Sequence, residues 1–72
     1  MDLKDKIDDL FTYHAPDATQ AAQYEAIRQG AKAFAYIALA NSPTSADQTA
    51  AIRKLRECVM TLNAAIALKG IS

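Results

Sequence analysis

Few side chains in this sequence are suited to chemistry, and they fall in a handful of places. Tyr13-His14-Ala15-Pro16 puts a phenol and an imidazole on a turn, directly ahead of a helical run opened by Asp17. A helix starting there offers free N–H groups and a partial positive charge, both favourable to phosphate, and a tyrosine ring can stack on a nucleobase. Arg28 and Lys32 stand four residues apart, so they share one helix face, on either side of Gly30 in sequence. A glycine inside a helix costs about 1 kcal/mol relative to alanine, which points to close approach of a neighbouring helix or a ligand. Arg53, Lys54 and Arg56 cluster further on, and Lys69 precedes Gly70. Each has a plainer reading. Tyr13 can anchor the turn, His14 can be a solvated loop residue, and Arg28 and Lys32 can be surface charges. The 53–56 cluster reads mainly as solvent face or subunit-pairing charge, with Arg53 able to reach Glu57 at i,i+4, and Lys69 complements a helix dipole.

The means of covalent catalysis are missing from the pattern. No serine or cysteine has an identifiable histidine and carboxylate at triad-like spacing, and there is no glycine-rich phosphate loop. Cys58 falls mid-helix beside an apolar seam, where a buried structural thiol is expected. One histidine and one cysteine exclude a structural zinc site, and Asp8-Asp9 reads as a solvated helix end rather than a metal pair. No catalytic residue, metal or cofactor is expected.

The elements that must carry these groups are helices. Sixteen of the 72 residues are alanine, with two glycines and two prolines, and nothing alternates with period two. A short first helix is expected over about 3–11, capped by Asp2, with Leu3, Ile7, Leu10 and Phe11 on one face. Pro16 disfavours helical geometry at Ala15 and closes it. Asp17 with Gln20 forms a capping-box pattern that opens a second helix, whose apolar seam Tyr24, Ile27, Ala31, Phe34 and Ala38 has 3-4-3-4 spacing. Asn41-Ser42-Pro43 stops it. Ser45 with Gln48 opens a third helix, with a second seam at Ile52, Leu55, Val59, Leu62 and Ile66, stopped by Gly70. Two helices of about 24 residues joined by a short loop make an antiparallel hairpin of roughly 36 Å.

Size and charge narrow the function. A 7.8 kDa chain is one domain, residues 1–72, and buries only roughly 60% of its unfolded surface, so a lone monomer is marginal. Tyr36, Ile37, Leu39, Cys58, Met60, Leu68 and Ile71 are left over once the seams meet, and apolar surface on that scale marks an association face. Homo-oligomerisation follows. Eight basic residues balance eight acidic ones, which argues against coating a DNA or RNA polymer. The balance is uneven along the chain: residues 1–24 carry five Asp against two Lys, and residues 25–72 carry six basic residues against three acidic ones. No apolar run approaches the roughly 20 residues needed to cross a membrane, and the acidic N-terminal stretch is unlike a signal peptide. A single cysteine makes a reducing compartment the default.

The ordered strings Y-H-A-P, Q-Y-E-A-I-R-Q-G-A-K-A-F-A and A-I-R-K-L-R-E-C-V-M-T-L-N-A-A-I-A, across about residues 10–69, resemble one phage family. It is the second type of anti-CBASS protein, a cyclic-oligonucleotide sponge. CBASS is a bacterial defence in which an infected cell makes cyclic di- or trinucleotides that activate a suicide effector. The resemblance implies an all-α protein, a short N-terminal helix plus a long antiparallel helical hairpin, assembled as a homohexamer in the cytoplasm of the infected host. It implies binding of cyclic dinucleotides at subunit-pair interfaces and cyclic trinucleotides near the threefold axis, without cleavage. By matching motif position, the dinucleotide site falls to Tyr13, which stacks on the base, and Arg28, which contacts phosphate, with His14, Gly30 and Lys32 nearby. The trinucleotide site falls to Lys69. Gly30 stands where relatives carry a small hydroxyl residue, so one polar contact to the ligand is lost. The rival classes are a helical-hairpin dimer, a four-helix bundle serving a protein partner, and a nuclease or phosphodiesterase that consumes the signal.

Overall fold

The computed structural model describes residues 3–13 and 15–69. Three helices follow one another: α1 (Leu3–Leu10), α2 (Ala18–Asn41) and α3 (Ala46–Ala67). No strand occurs among the described residues. The expected cap Asp2 and stop Gly70, together with His14 and Ile71, lie outside the described residues.

Local chemistry explains where the long helices begin. At α2, the Asp17 side chain accepts from the Gln20 N–H at 2.8 Å, while the Asp17 N–H donates to Gln20 Oε1 at 3.0 Å. Two free N–H groups are satisfied at once, which is the full capping box. At α3 only half of it forms. Ser45 Oγ accepts from the Gln48 N–H at 3.1 Å, but the Gln48 amide reaches past Ser45 to the carbonyl of Ser42, also at 3.1 Å. Gln48 thereby ties the α2–α3 loop to the first turn of α3. α1 closes at Leu10, earlier than Pro16 requires, and α3 closes at Leu68, where Lys69 adopts φ 51°. That left-handed geometry is ordinarily glycine's, so the stop falls one residue before the expected Gly70.

α2 and α3 pack antiparallel, and α1 packs along neither. The residues turned towards the partner helix are Gln20, Tyr24, Ile27, Ala31, Ala35 and Ala38 on α2, and Gln48, Ile52, Leu55, Val59, Asn63 and Ile66 on α3. Both seams therefore depart from the expected 3-4-3-4 register at their fourth position and rejoin it at Ala38 and Ile66. Ala35 replaces Phe34, which is 58% exposed, and Asn63 replaces Leu62, which is 44% exposed. The reason is geometric. On a straight helix with about 100° between successive residues, Ala35 and Asn63 lie only about 40° in rotation from Ala31 and Val59, against about 60° for Phe34 and Leu62. Leu62 is thus not a buried seam residue of the single chain, whereas Leu55 keeps its place. Leu68, expected among the leftover surface residues, is the most buried hydrophobic side chain, at 8% exposure. Cys58 is exposed rather than a buried structural thiol.

The described chain measures 45 × 27 × 15 Å. Its smallest dimension is little more than one helix diameter of about 10–12 Å, so the hairpin is a single layer. Each long helix then has one neighbour, and no large side chain among the described residues is fully buried. Domains are stable when at least two layers enclose a core.

Candidate functional site

The antiparallel pairing gives the hairpin two unlike flanks. Arg28 and Lys32 on α2 and Arg56 on α3 lie to one side of the seam. Gly30 falls two residues from each of Arg28 and Lys32, about 200° around the helix from Arg28, and so faces elsewhere. A methyl group built at Gly30 would meet nothing within 4 Å. Within one chain, then, no close approach accounts for this glycine, and it does not share a surface with Arg28.

Three shallow concavities run along the hairpin in sequence. At its open end, a space of about 400 Å³ is lined by Tyr13, Leu10, Pro16, Tyr24 and Leu68. Next to it, about 570 Å³ is lined by Pro16, Tyr24, Arg28, Asn63 and Ala64. Beyond that, a groove of about 370 Å³ lies between α2 and α3 and is lined by Arg28, Lys32 and Arg56 over apolar side chains. Tyr24 and Pro16 join the first pair of concavities, and Arg28 joins the second pair. Tyr13 and Arg28 therefore stand on one continuous surface, although they are far apart in sequence. Tyr13 is 84% exposed, with its ring available to a ligand or a partner. His14 lies outside the described residues.

The clasp that holds this surface together is Gln20. Its Nε2 donates to the carbonyl of Ile66 at 3.0 Å, while its Oε1 completes the capping box at Asp17. One amide thus ties the start of α2, and the turn before it, to the last turn of α3. Gln20 is the one buried polar residue among those described, at 8% exposure. A buried amide with both ends bonded is worth more than its exposed counterpart, because either group unpaired would cost about 1–3 kcal/mol.

Asn63 shows the opposite condition. Its Oδ1 is buried and accepts no hydrogen bond from any described residue. It sits in the wall of the middle concavity with Tyr24 and Arg28. An acceptor in that position suits a ligand N–H. Sequence reasoning passed over Asn63 because the heptad register put Leu62 at the seam in its place.

Arg28 is not idle in this structure. Its guanidinium forms an ion pair with Glu25, which also accepts from Gln29 Nε2 at 2.8 Å. The hydrogen bond from Arg28, then that from Gln29, with the guanidinium charge added, hold the Glu25 carboxyl below the usual carboxylate range. Because that pKa is depressed on folding, the favourable interaction is present above the usual carboxylate range. It is lost as the pH falls through the depressed value. Both partners are exposed, so the pair is screened and adds little to stability. Arg28→Ala is expected to return the Glu25 titration upward towards the ordinary carboxylate range, read by NMR of the side-chain carboxyl. An unchanged midpoint would mean that the pair does not persist in solution. The Arg53–Glu57 pair expected from spacing does not form, and neither Lys32 nor Arg56 has an ion-pair partner among the described residues.

Residues 3–67 match the family described as Acb2/Tad1, hairpin domain. The chain belongs to that family. It is the phage anti-CBASS sponge family, whose role is the binding of cyclic oligonucleotides. No curated protein and no solved structure matches the chain. The match covers both long helices and the turn before them, so Tyr13 and Arg28 both lie inside the Acb2/Tad1 hairpin. No helix is long and apolar enough to cross a membrane, and no group of three metal-ligating side chains occurs among the described residues. Lys69 stands just past the matched segment, exposed, at the end of α3.

Proposed function

We propose that this hairpin assembles as a homohexamer and sequesters cyclic di- and trinucleotides without cleaving them, so that CBASS effectors stay inactive in the cytoplasm of the infected host. The observation that carries the reading is the continuous surface from the exposed Tyr13 ring to the Arg28 guanidinium within a sponge-family hairpin. An aromatic face and a cation on one surface suit a base and a phosphate of the same ligand. A twofold pairing of chains supplies both features twice, matching the two bases and two phosphates of a cyclic dinucleotide. His14, Gly30 and Lys32 complete the dinucleotide site in this reading, with Gly30 contributed from its separate flank across a subunit contact.

Assembly is supported by the single-layer shape. Phe34, Tyr36, Ile37, Leu39 and Leu62 stay exposed in one chain, as do Leu3 and Ile7 of α1 and Phe11 just after it. Covering them in a second layer is what a 72-residue helical chain needs for a stable core. Light scattering is expected to give about 47 kDa, six times the 7.8 kDa chain. About 16 kDa would favour the four-helix-bundle dimer with a protein partner.

Sequestration is tested by loading the protein with cyclic di- and trinucleotides in a calorimeter, then heat-denaturing it. Intact ligand should be recovered; linear products would indicate a phosphodiesterase instead. Lys69 is assigned to the trinucleotide site, one copy per phosphate around the threefold axis. Lys69→Ala is expected to weaken cyclic trinucleotide binding at least tenfold and leave cyclic dinucleotide binding intact, as measured by titration of both ligands.

A further inference from the structure

The groove between α2 and α3 is not explained by the Tyr13 and Arg28 pair alone. Arg28 occupies only its near edge, which it shares with the middle concavity. Lys32 and Arg56 occupy the rest, one from each helix, and no acidic residue lines the groove. Neither of these two cations has a hydrogen-bond or ion-pair partner among the described residues. Like charges drawn to one cleft without a counter-charge repel one another, and an anion relieves that repulsion. The remaining wall is apolar, with Ala35, Val59 and Met60 among its side chains. A methionine and a valine beside a flat cleft suit the face of a planar base, since thioether–aromatic contact is favourable. Arg56 and Met60 are four residues apart, so they flank the cleft on adjacent turns of α3.

We propose that Arg56, together with Lys32, forms a phosphate subsite in this groove. A nucleotide phosphate sits between the two cations there, and its base lies against Val59 and Met60. The subsite adjoins Arg28, so a ligand with more than one phosphate engages both helices of the hairpin. This deepens the cyclic-oligonucleotide reading and rests on it for the identity of the ligand. It departs from the sequence-based view of Arg56 as a solvent-face or subunit-pairing charge.

The test uses the full chain in its assembled state and cyclic di-GMP as the probe, titrated by calorimetry. Arg56→Gln is expected to weaken binding at least tenfold, Arg56→Lys to recover most of it, and Arg53→Gln to stay within twofold of the parent. The mass by light scattering should not change in any of the three. Arg56→Gln binding within twofold of the parent, while Arg28→Ala is weakened, overturns the subsite and leaves the sponge reading standing. Dissociation of the Arg56→Gln assembly also overturns it, because Arg56 would then be a subunit contact. If the parent takes up no cyclic di- or trinucleotide, the sponge reading fails, and pyrophosphate then decides the groove by NMR. Saturable shifts of the Arg56 and Lys32 side-chain signals, with Arg53 unmoved, support the subsite, and unshifted signals overturn it.

Discussion

Replacing Tyr13 with alanine is expected to lower cyclic dinucleotide affinity by roughly 30-fold to 10⁴-fold. Each aromatic ring stacked on a base contributes about 1–3 kcal/mol. A twofold site loses both rings in one substitution, so the total is about 2–6 kcal/mol at about 1.4 kcal/mol per tenfold. The ring is 84% exposed in the single chain, and the fold should therefore tolerate its removal. Tyr13→Phe keeps the stacking face and should bind nearly as the parent does. Arg28→Ala should act in the same direction through the loss of charge-assisted phosphate contacts. Trinucleotide binding on the threefold axis uses neither residue and should persist in both variants. A Tyr13→Ala protein that retains parental dinucleotide affinity, or that loses both ligand classes, would sink the assignment of two separate sites.

The largest effect on stability is expected at Gln20. Gln20→Ala removes the acceptor for the Asp17 N–H and the donor to the Ile66 carbonyl, both at 3.0 Å. A lost cap costs about 1 kcal/mol, and a lost buried hydrogen bond costs about the same or more. Together they amount to about 2–3 kcal/mol, or a Tm lower by roughly 8–20 °C for a chain of this size. Gln20→Glu separates the two halves. Its carboxylate can still accept from the Asp17 N–H but presents a charged oxygen to the Ile66 carbonyl. At neutral pH it should melt below the parent, and it should recover as acid protonates the new carboxyl, since the neutral form can donate. Thermal melts followed by circular dichroism across this pH range would check both variants. Parental melting of Gln20→Ala would show that the clasp carries no stability. Because the same amide joins the start of α2 to the last turn of α3, its loss should also loosen the neighbourhood of Tyr13 and Lys69.

Much of this protein is legible one helical turn at a time. Asp17 with Gln20, and Ser45 with Gln48, mark the starts of the two long helices because capping involves groups only three residues apart. Alanine richness and the 3-4 spacing of apolar residues make two helices that must pack together, and the short 42–45 link makes them antiparallel. Tyr13 and Arg28 stand out by residue type and position, and the ordered strings that contain them carry the family resemblance. None of this depends on distant contacts.

The tertiary structure decided which of two neighbouring positions turns inward and what only two helices together can make. A 3.5-residue register read along the sequence puts Phe34 and Leu62 at the seam, but the straight helices turn Ala35 and Asn63 inward instead. The choice between those neighbouring positions depends on how the two helices meet and is invisible in any single capping or heptad unit. Gln20 looks like a cap alone until α3 brings the Ile66 carbonyl within reach of its amide. Arg56 looks like one charge in a basic run until antiparallel pairing sets it across a groove from Lys32. Local hydrogen bonding and periodicity determine the helices, whereas the shared flank on which charges meet is a property of their packing.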